Sequence, residues 1–241
     1  MIMLSIRNLT KKYGDKVAVD NLSLSLESGK ICAFIGKNGA GKTTTLKCCV
    51  GMLSFEQGEI MIDGISVKND PLAVKQNIAY IPDNPDIYEF MTGIGYLNFI
   101  ADIFGLSKEV REERIRRIAD TFDLTKDLAT NVSAYSHGMK QKLVIISALI
   151  HEPKLLLMDE PFVGLDPTAA FHLKEEMSAL CARGGAILYS THVLEVAQKV
   201  CDSVVIIKDG KVVRTGSMEE VTGDSSLEDV FLELDEGKVT S

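Results

Sequence analysis

The residues best suited to chemistry lie together in Gly36-Lys37-Asn38-Gly39-Ala40-Gly41-Lys42-Thr43-Thr44. Glycines at 36, 39 and 41 let the backbone curl until its N–H groups face one hollow, and that hollow fits a polyphosphate. Lys42 offers a cation to β- and γ-phosphates, and the Thr43 hydroxyl suits the Mg²⁺ that accompanies them. Such a loop needs a strand before it and a helix after it, so that the helix dipole points at the same spot. The apolar run Ile31-Cys32-Ala33-Phe34-Ile35 and the segment Leu46-Lys47-Cys48-Cys49-Val50 supply both. A glycine-rich turn with a stray lysine would match this pattern by chance about once in a hundred chains of this length. Nucleotide binding follows.

Two further stations carry candidate chemistry. Leu155-Leu156-Leu157-Met158 is an unbroken apolar run, as in a parallel strand covered on both faces, and it ends in Asp159-Glu160-Pro161. In open α/β sheets the carboxyl ends of the strands face the ligand crevice, so Asp159 and Glu160 are expected at the phosphates. Ala186-Ile187-Leu188-Tyr189-Ser190 is another buried strand, with Thr191-His192 at its carboxyl end. A lone histidine there is ordinarily satisfied by its neighbours, but this one falls at the same edge as the carboxylates. His137, His151 and His172 read as surface or packing residues.

These stations must be held by a larger frame. The first thirty residues predict two strands, Leu4 to Asn8 and Asp20 to Leu26, joined by a loop over residues 11–16. Tyr13 stands on that loop, where the sequence alone fits a half-buried packing residue as well as a functional one. Residues 58–64 read as a short strand and Ile78-Ala79-Tyr80-Ile81 as a buried one ended by Pro82. From Tyr88 to Ile150 the pattern is helical. Tyr96, Leu97, Phe99, Ile100, Ile103 and Phe104 share one spacing, and Ser107 offers an N-cap to a helix with Val110, Ile115, Ile118 and Phe122 as its apolar stripe. Asp166-Pro167 starts another helix, residues 204–214 form a hairpin turned at Asp209-Gly210, and a last helix spans Leu227 to Leu234. The expected fold is α/β: a P-loop NTPase core with a mostly parallel sheet, an N-terminal antiparallel β subdomain and an inserted α-helical subdomain over about 86–150. One domain over 1–234 would then be followed by a disordered polar tail, 235–241.

Composition limits the alternatives. A chain of 241 residues, 46% hydrophobic and 25% charged, suits one compact module. Its net charge of -8 argues against a general affinity for nucleic acid or anionic lipid. Cys32, Cys48, Cys49, Cys181 and Cys201 sit in apolar surroundings with no Cys-x-x-Cys pair, and read as core residues of a reducing compartment. The N-terminus lacks a signal-peptide plan, and the longest apolar run, Leu143 to Ile150, is far short of a membrane span. Work at a membrane would need a second chain to cross it.

The most specific stretch is Tyr135-Ser136-His137-Gly138-Met139-Lys140-Gln141-Lys142. Lying between the phosphate loop and Leu-Leu-Leu-Met-Asp-Glu-Pro, it resembles the signature of ATP-binding cassette (ABC) transporter nucleotide-binding subunits, usually Leu-Ser-Gly-Gly-Gln. Its Tyr-Ser-x-Gly-Met form is similar to that of ABC-2 type exporters, and the resemblance covers nearly the whole chain in order. It implies an ATPase that binds ATP through residues 36–44 and stacks adenine on Tyr13. Thr43 and Asp159 would hold Mg²⁺, Glu160 would polarise the attacking water, and His192 and Lys42 would contact the γ-phosphate. Ser136, His137, Gly138 and Met139 would serve ATP on an opposite subunit, and Gly164-Leu165-Asp166 matches the D-loop that crosses to it. The implied unit is a head-to-tail dimer, homomeric or heteromeric, around two ATP molecules. It would power a separate integral membrane transporter subunit from the cytoplasmic face of the cell membrane, with no nucleic-acid partner.

Four positions depart from the family pattern. Asp83 replaces a glutamine and is a further candidate for the metal; His137 replaces a glycine, Met139 a glutamine, and Val163 a serine or threonine. The segment Asp83 to Tyr96, with Tyr88, Phe90 and Met91, matches the place where the family receives a coupling helix from its membrane subunit. Two other classes compete. A soluble cassette ATPase acting on nucleic acid or ribosomes usually carries two cassettes or a long coiled coil, and the chain shows neither repeat nor sustained heptads. A regulatory ATP-dependent dimerisation module would have no need of Glu160.

Overall fold

The computed structural model describes residues 1–85 and 87–236. Strands β1 (Ile2–Tyr13) and β2 (Lys16–Glu27) form one long antiparallel hairpin closed by Gly14 and Asp15. The loop expected over 11–16 is therefore only a two-residue turn, and Tyr13 pairs with Lys16 on the last rung. The extension was hidden because the register shifts on either side of Leu9, next to left-handed Asn8 and Asn21, which breaks the alternation that a sequence pattern relies on. After β3 (Ile31–Ile35) and α1 (Lys42–Cys49), β4 (Gln57–Ile62) and β5 (Ile65–Ser66) complete a four-stranded antiparallel sheet in the order β2-β1-β4-β5.

A short helix α2 (Pro71–Asn77) leads into β6 (Ile78–Ile81). Three helices follow: α3 (Gly93–Ile103), α4 (Lys108–Thr121) and α5 (His137–Leu149). Thr92, Ser107 and Ser136 cap them, each accepting a backbone N–H three residues on. The chain then returns through β7 (Leu155–Asp159), α6 (Pro167–Ala182), β8 (Ala186–Thr191) and α7 (Leu194–Val200). It ends with β9 (Ser203–Lys208), β10 (Lys211–Ser217), α8 (Met218–Thr222) and α9 (Leu227–Glu236). Helix α9 thus includes Asp235 and Glu236, which the sequence reading assigned to a disordered tail; residues 237–241 lie outside the described residues. The short helices α2, α7 and α8 had no counterpart in that reading.

The second sheet has six strands in the order β10-β9-β3-β8-β7-β6, all parallel except the edge strand β10. Its inner strands are apolar throughout because they bury both faces. Ala33, Met158, Tyr189 and Ile206 belong to a core shared with α3 to α6, whereas Phe34, Leu157, Leu188 and Ile207 belong to one shared with α1 and the antiparallel sheet. All five cysteines are free thiols within this packing. Burial pushes Cys32, Cys48 and Cys181 up to about 11 and Cys201 to about 12, so they are inert at neutral pH. Among the described residues no helix is long and apolar enough to cross a membrane.

Two stability predictions follow from this packing. Phe122, 1% exposed, anchors α4 against the helical core, and Phe122→Ala is expected to cost about 3–5 kcal/mol in urea unfolding. His151 stacks on Phe104 and its Nε2 lies 3.1 Å from the Ile78 carbonyl; burial, the largest cause, holds its pKa below the ordinary value. The unfolded chain therefore takes up this proton more readily, so the contribution of His151 is complete above about pH 6.5 and is lost as pH falls below it. His151→Gln should narrow the gap between urea midpoints at about pH 7.5 and 5.5 relative to the wild-type protein; an unchanged gap would contradict this.

Candidate active site

The phosphate loop connects β3 to α1, and two of its glycines are required by close backbone approach. A Cβ at Gly36 would lie 2.6 Å from the Ile207 carbonyl oxygen, and one at Gly41 2.6 Å from that of Ala18. Gly41 also has φ of 109°, which side chains rarely adopt. Within the loop, Lys42 Nζ donates to the carbonyls of Gly36 at 2.6 Å and Lys37 at 3.3 Å. Burial pulls the Lys42 pKa below the ordinary lysine value, while the carboxylates of Glu160 and Asp159 push the other way. The ammonium is satisfied by backbone oxygens that a polyphosphate could replace.

Asp159, at the end of β7, is 2% exposed. Its Oδ2 accepts from Thr43 Oγ1 at 2.5 Å, and its Oδ1 accepts from Ser190 Oγ at the end of β8. One carboxylate thus ties the ends of β7 and β8 to the start of α1. Ser190 as a donor was missed by the sequence reading, although a serine closing an otherwise apolar strand was the available signal. Glu160 adopts φ of 49°, an uncommon value for a residue with a side chain, and its N–H donates to the Ser190 carbonyl at 3.1 Å. The kink separates two consecutive carboxylates into different jobs: Asp159 points back to Thr43, and Glu160 lies against His192, whose Nδ1 is 2.9 Å from Oε2.

Lys42, Thr43, Asp159 and Glu160 share a cavity of about 410 Å³ at the carboxyl ends of the parallel strands, whereas His192 borders a neighbouring cavity and reaches this one only through Glu160. Asn38, Gly39, Gly41, Lys42, Thr43 and Thr44 form its floor, Asp83, Asp159 and Glu160 one wall, and Tyr13, Lys16 and Ala18 the other. Tyr13 is 48% exposed and borders the cavity. Lys11, buried beneath it, has its ammonium 5.4 Å from the Tyr13 ring centroid and 3.2 Å from Glu56 Oε1. Glu56 also accepts from the Lys12 N–H at 2.8 Å, the largest of the causes holding its carboxyl below the usual range. Neither Lys11 nor Glu56 stood out in the sequence, because they are 45 residues apart and meet only where β1 runs beside the residue that leads into β4.

The signature residues stand elsewhere: none of residues 136–139 or 164–166 lines this cavity. Ser136 caps α5 by accepting from the Met139 N–H at 3.3 Å. A Cβ at Gly164 would lie 2.7 Å from the His137 ring, so the signature and the D-loop segment pack on each other within one chain. Lys142 Nζ, 2.8 Å from Asp166 Oδ2, adds an ion pair, and Asp166 caps α6 through the Ala169 N–H. The side chains of Gly36's neighbour Lys37 and of Ala40 lie on the far side of the loop, away from the nucleotide cavity.

Residues 19–163 match the family model described as ABC transporter. Over 239 residues the chain is 37% identical to the ABC-type transporter ATP-binding protein EcsA of Bacillus subtilis (strain 168), covering 97% of each. It is 33% identical over 219 residues to the Nod factor export ATP-binding protein I of Cupriavidus metallidurans, covering 91% of this chain and 72% of that one. A solved ATP-binding subunit of an ABC transporter superposes with a TM-score of 0.93 at 35% identity, over 97% of this chain and 99% of the other. With the phosphate loop, the paired carboxylates and the inserted helices in the same order, the chain belongs to the ABC transporter family and is an ATP-binding, ATP-hydrolysing subunit of such a transporter.

Proposed function

We propose that this subunit hydrolyses ATP at the cavity between Tyr13 and Glu160, as one half of a dimer that drives a membrane-spanning exporter subunit. The observation that carries the reading is the Asp159 carboxylate, held by Thr43 at 2.5 Å and by Ser190, with Lys42 and Glu160 in the same cavity. The roles divide by chemistry. The Tyr13 ring offers a stacking face to adenine. Loop N–H groups and the Lys42 ammonium, freed from the Gly36 and Lys37 carbonyls, take up phosphate charge. Glu160 Oε2 accepts a hydrogen bond from the attacking water and orients it toward the γ-phosphorus. His192, hydrogen-bonded to the same oxygen, holds that carboxylate and, as the family resemblance implies, would contact the γ-phosphate.

The donors also suit Mg²⁺. A hydroxyl and a carboxylate already in contact, with Asp83 on the same wall, form a hard-oxygen set of low charge, as fits an ion that keeps its waters and its phosphate ligands. Thr43 and Asp159 would hold it, with Asp83 the third candidate, and it would neutralise charge on the β- and γ-phosphates.

Dimerisation is supported by the separation of Ser136, His137, Gly138 and Met139 from the cavity: an N-terminus of α5 pointing elsewhere suits an anion brought by a second subunit. Packing of His137 on Gly164 makes signature and D-loop one unit, so that contact at one partner's site is felt at the other. The membrane partner is supported by an apolar groove of about 410 Å³ that runs from Met52 and Leu72 to Tyr96, Ile100, Ile103 and Phe104. Tyr88, packed on Tyr96 and Phe99, and Phe90, 81% exposed, extend it as an aromatic cluster. An amphipathic helix of the membrane subunit fits such a surface, and it would place this chain at the inner face of the membrane. Export is favoured by the Tyr135-Ser136-His137-Gly138-Met139 form and by the name of the Nod factor relative.

Two variants test these roles. Glu160→Gln is expected to bind ATP and dimerise while turnover falls roughly 10²- to 10⁴-fold, the range for loss of a group that handles the water proton; unchanged steady-state hydrolysis would refute the assignment. Tyr88→Arg should keep ATP binding but lose the membrane protein that co-purifies with the ATP-loaded Glu160→Gln subunit from detergent-solubilised membranes. Recovery of ribosomal or DNA-repair proteins in that purification instead would move the function to the soluble class.

A further inference from the structure

The back of the phosphate loop is held as closely as its front. Lys37 leaves the loop on the side away from the nucleotide cavity, and its Nζ lies 2.6 Å from Asp235 Oδ2 in α9. Helix α9 is itself fixed at that end: Lys208 Nζ donates to the carbonyls of Leu234 at 3.2 Å and Asp235 at 2.8 Å. Two residues beyond Lys208, the Gly210 N–H donates to the Ala40 carbonyl at 3.0 Å. The β9–β10 turn therefore grips both the loop and the helix that backs it. Buried Leu227 and Val230 root α9 in the core. Phe231 lines cavities of about 280 and 290 Å³ on the loop's outer side, and the second also borders His192.

We propose that Asp235 is a positioning residue for ATP binding, acting through Lys37 to hold the outer limb of the phosphate loop in its binding shape. The inference rests on the reading of residues 36–44 as the ATP site. Its physical basis is pre-organisation: a glycine-rich loop loses much conformational freedom when it closes on phosphates, and a loop already restrained loses less. Charge works the other way only weakly. Lys37 does not line the nucleotide cavity, and a freed ammonium behind the loop is screened at physiological salt.

The test is calorimetric measurement of the ATP dissociation constant of the full chain, with Mg²⁺, in a double-mutant cycle. Asp235→Asn is expected to weaken ATP roughly two- to fivefold, the effect of losing a partly exposed ion pair. Lys37→Met should weaken it equally, the double variant should lose no more than either, and Asp235→Glu should restore the wild-type value. The melting temperature of the nucleotide-free protein should fall by no more than about 2–4 °C in any variant, the shift that losing such a pair gives a domain of this size. Wild-type affinity in Asp235→Asn, additive losses in the double variant, or a larger fall in melting temperature would each overturn the proposal. Lys42→Ala separates the two levels. If it abolishes binding while Asp235→Asn does not weaken it, only the positioning role fails; if it binds ATP like the wild type, the ATP site itself is misassigned and the proposal falls with it.

Discussion

Backbone packed on backbone governs this molecule. Gly36 runs against the carbonyl of Ile207 and Gly41 against that of Ala18, at distances that leave no space for a side chain. The phosphate loop is thereby wedged between β9 on one side and β2 on the other, although those strands belong to different sheets. The position of Tyr13 follows from that wedge. The hairpin that carries it reaches the loop through Ala18, so the ring stands above a cavity whose floor the loop forms. Neither sheet alone could build the site.

Charge is managed by the same economy of means. A buried ammonium and a buried carboxylate would each be costly alone. Lys42 is solvated by loop carbonyls, and Asp159 by the hydroxyls of Thr43 and Ser190. The two groups thus wait at the strand ends without neutralising each other directly. The left-handed backbone at Glu160 gives the adjacent carboxylate a separate direction, toward His192. A regular strand would have sent consecutive side chains to opposite faces of the sheet, with one of them buried in the core.

Two contacts extend the site beyond its own cavity. His137 against Gly164, with Lys142 paired to Asp166, fastens the start of α5 to the segment before α6. Gly164 follows β7 by only a few residues, so this contact lies a short stretch of chain away from Asp159 and Glu160. On the opposite side, the groove between α2 and α3 exposes aromatic surface that a soluble monomer would ordinarily bury. Under the proposed function, these two surfaces are where a second nucleotide-binding subunit and a membrane subunit would dock.

Much of this was legible in the residues themselves. Unbroken apolar runs announced buried parallel strands, and β6 lies where the sequence put it, over Ile78 to Ile81. Ser107 and Asp166 marked helix starts because a cap is a local hydrogen bond between near neighbours. The loop of glycines with Lys42 and Thr43, and the carboxylates after Met158, are local too, since their spacing along the chain sets their geometry. What needed the tertiary structure was every feature made by distant segments. The hairpin runs on to Tyr13 through bulges that disguise its period, and α9 continues through Asp235, whose partner Lys37 is on the other side of the chain's length. Lys11 with Glu56, and Ser190 with Asp159, likewise meet only when strands align. Short-range hydrogen bonding and periodicity determined which elements form and what chemistry they carry; which side chains hold that chemistry in place was decided by strand register and packing, which no local pattern encodes.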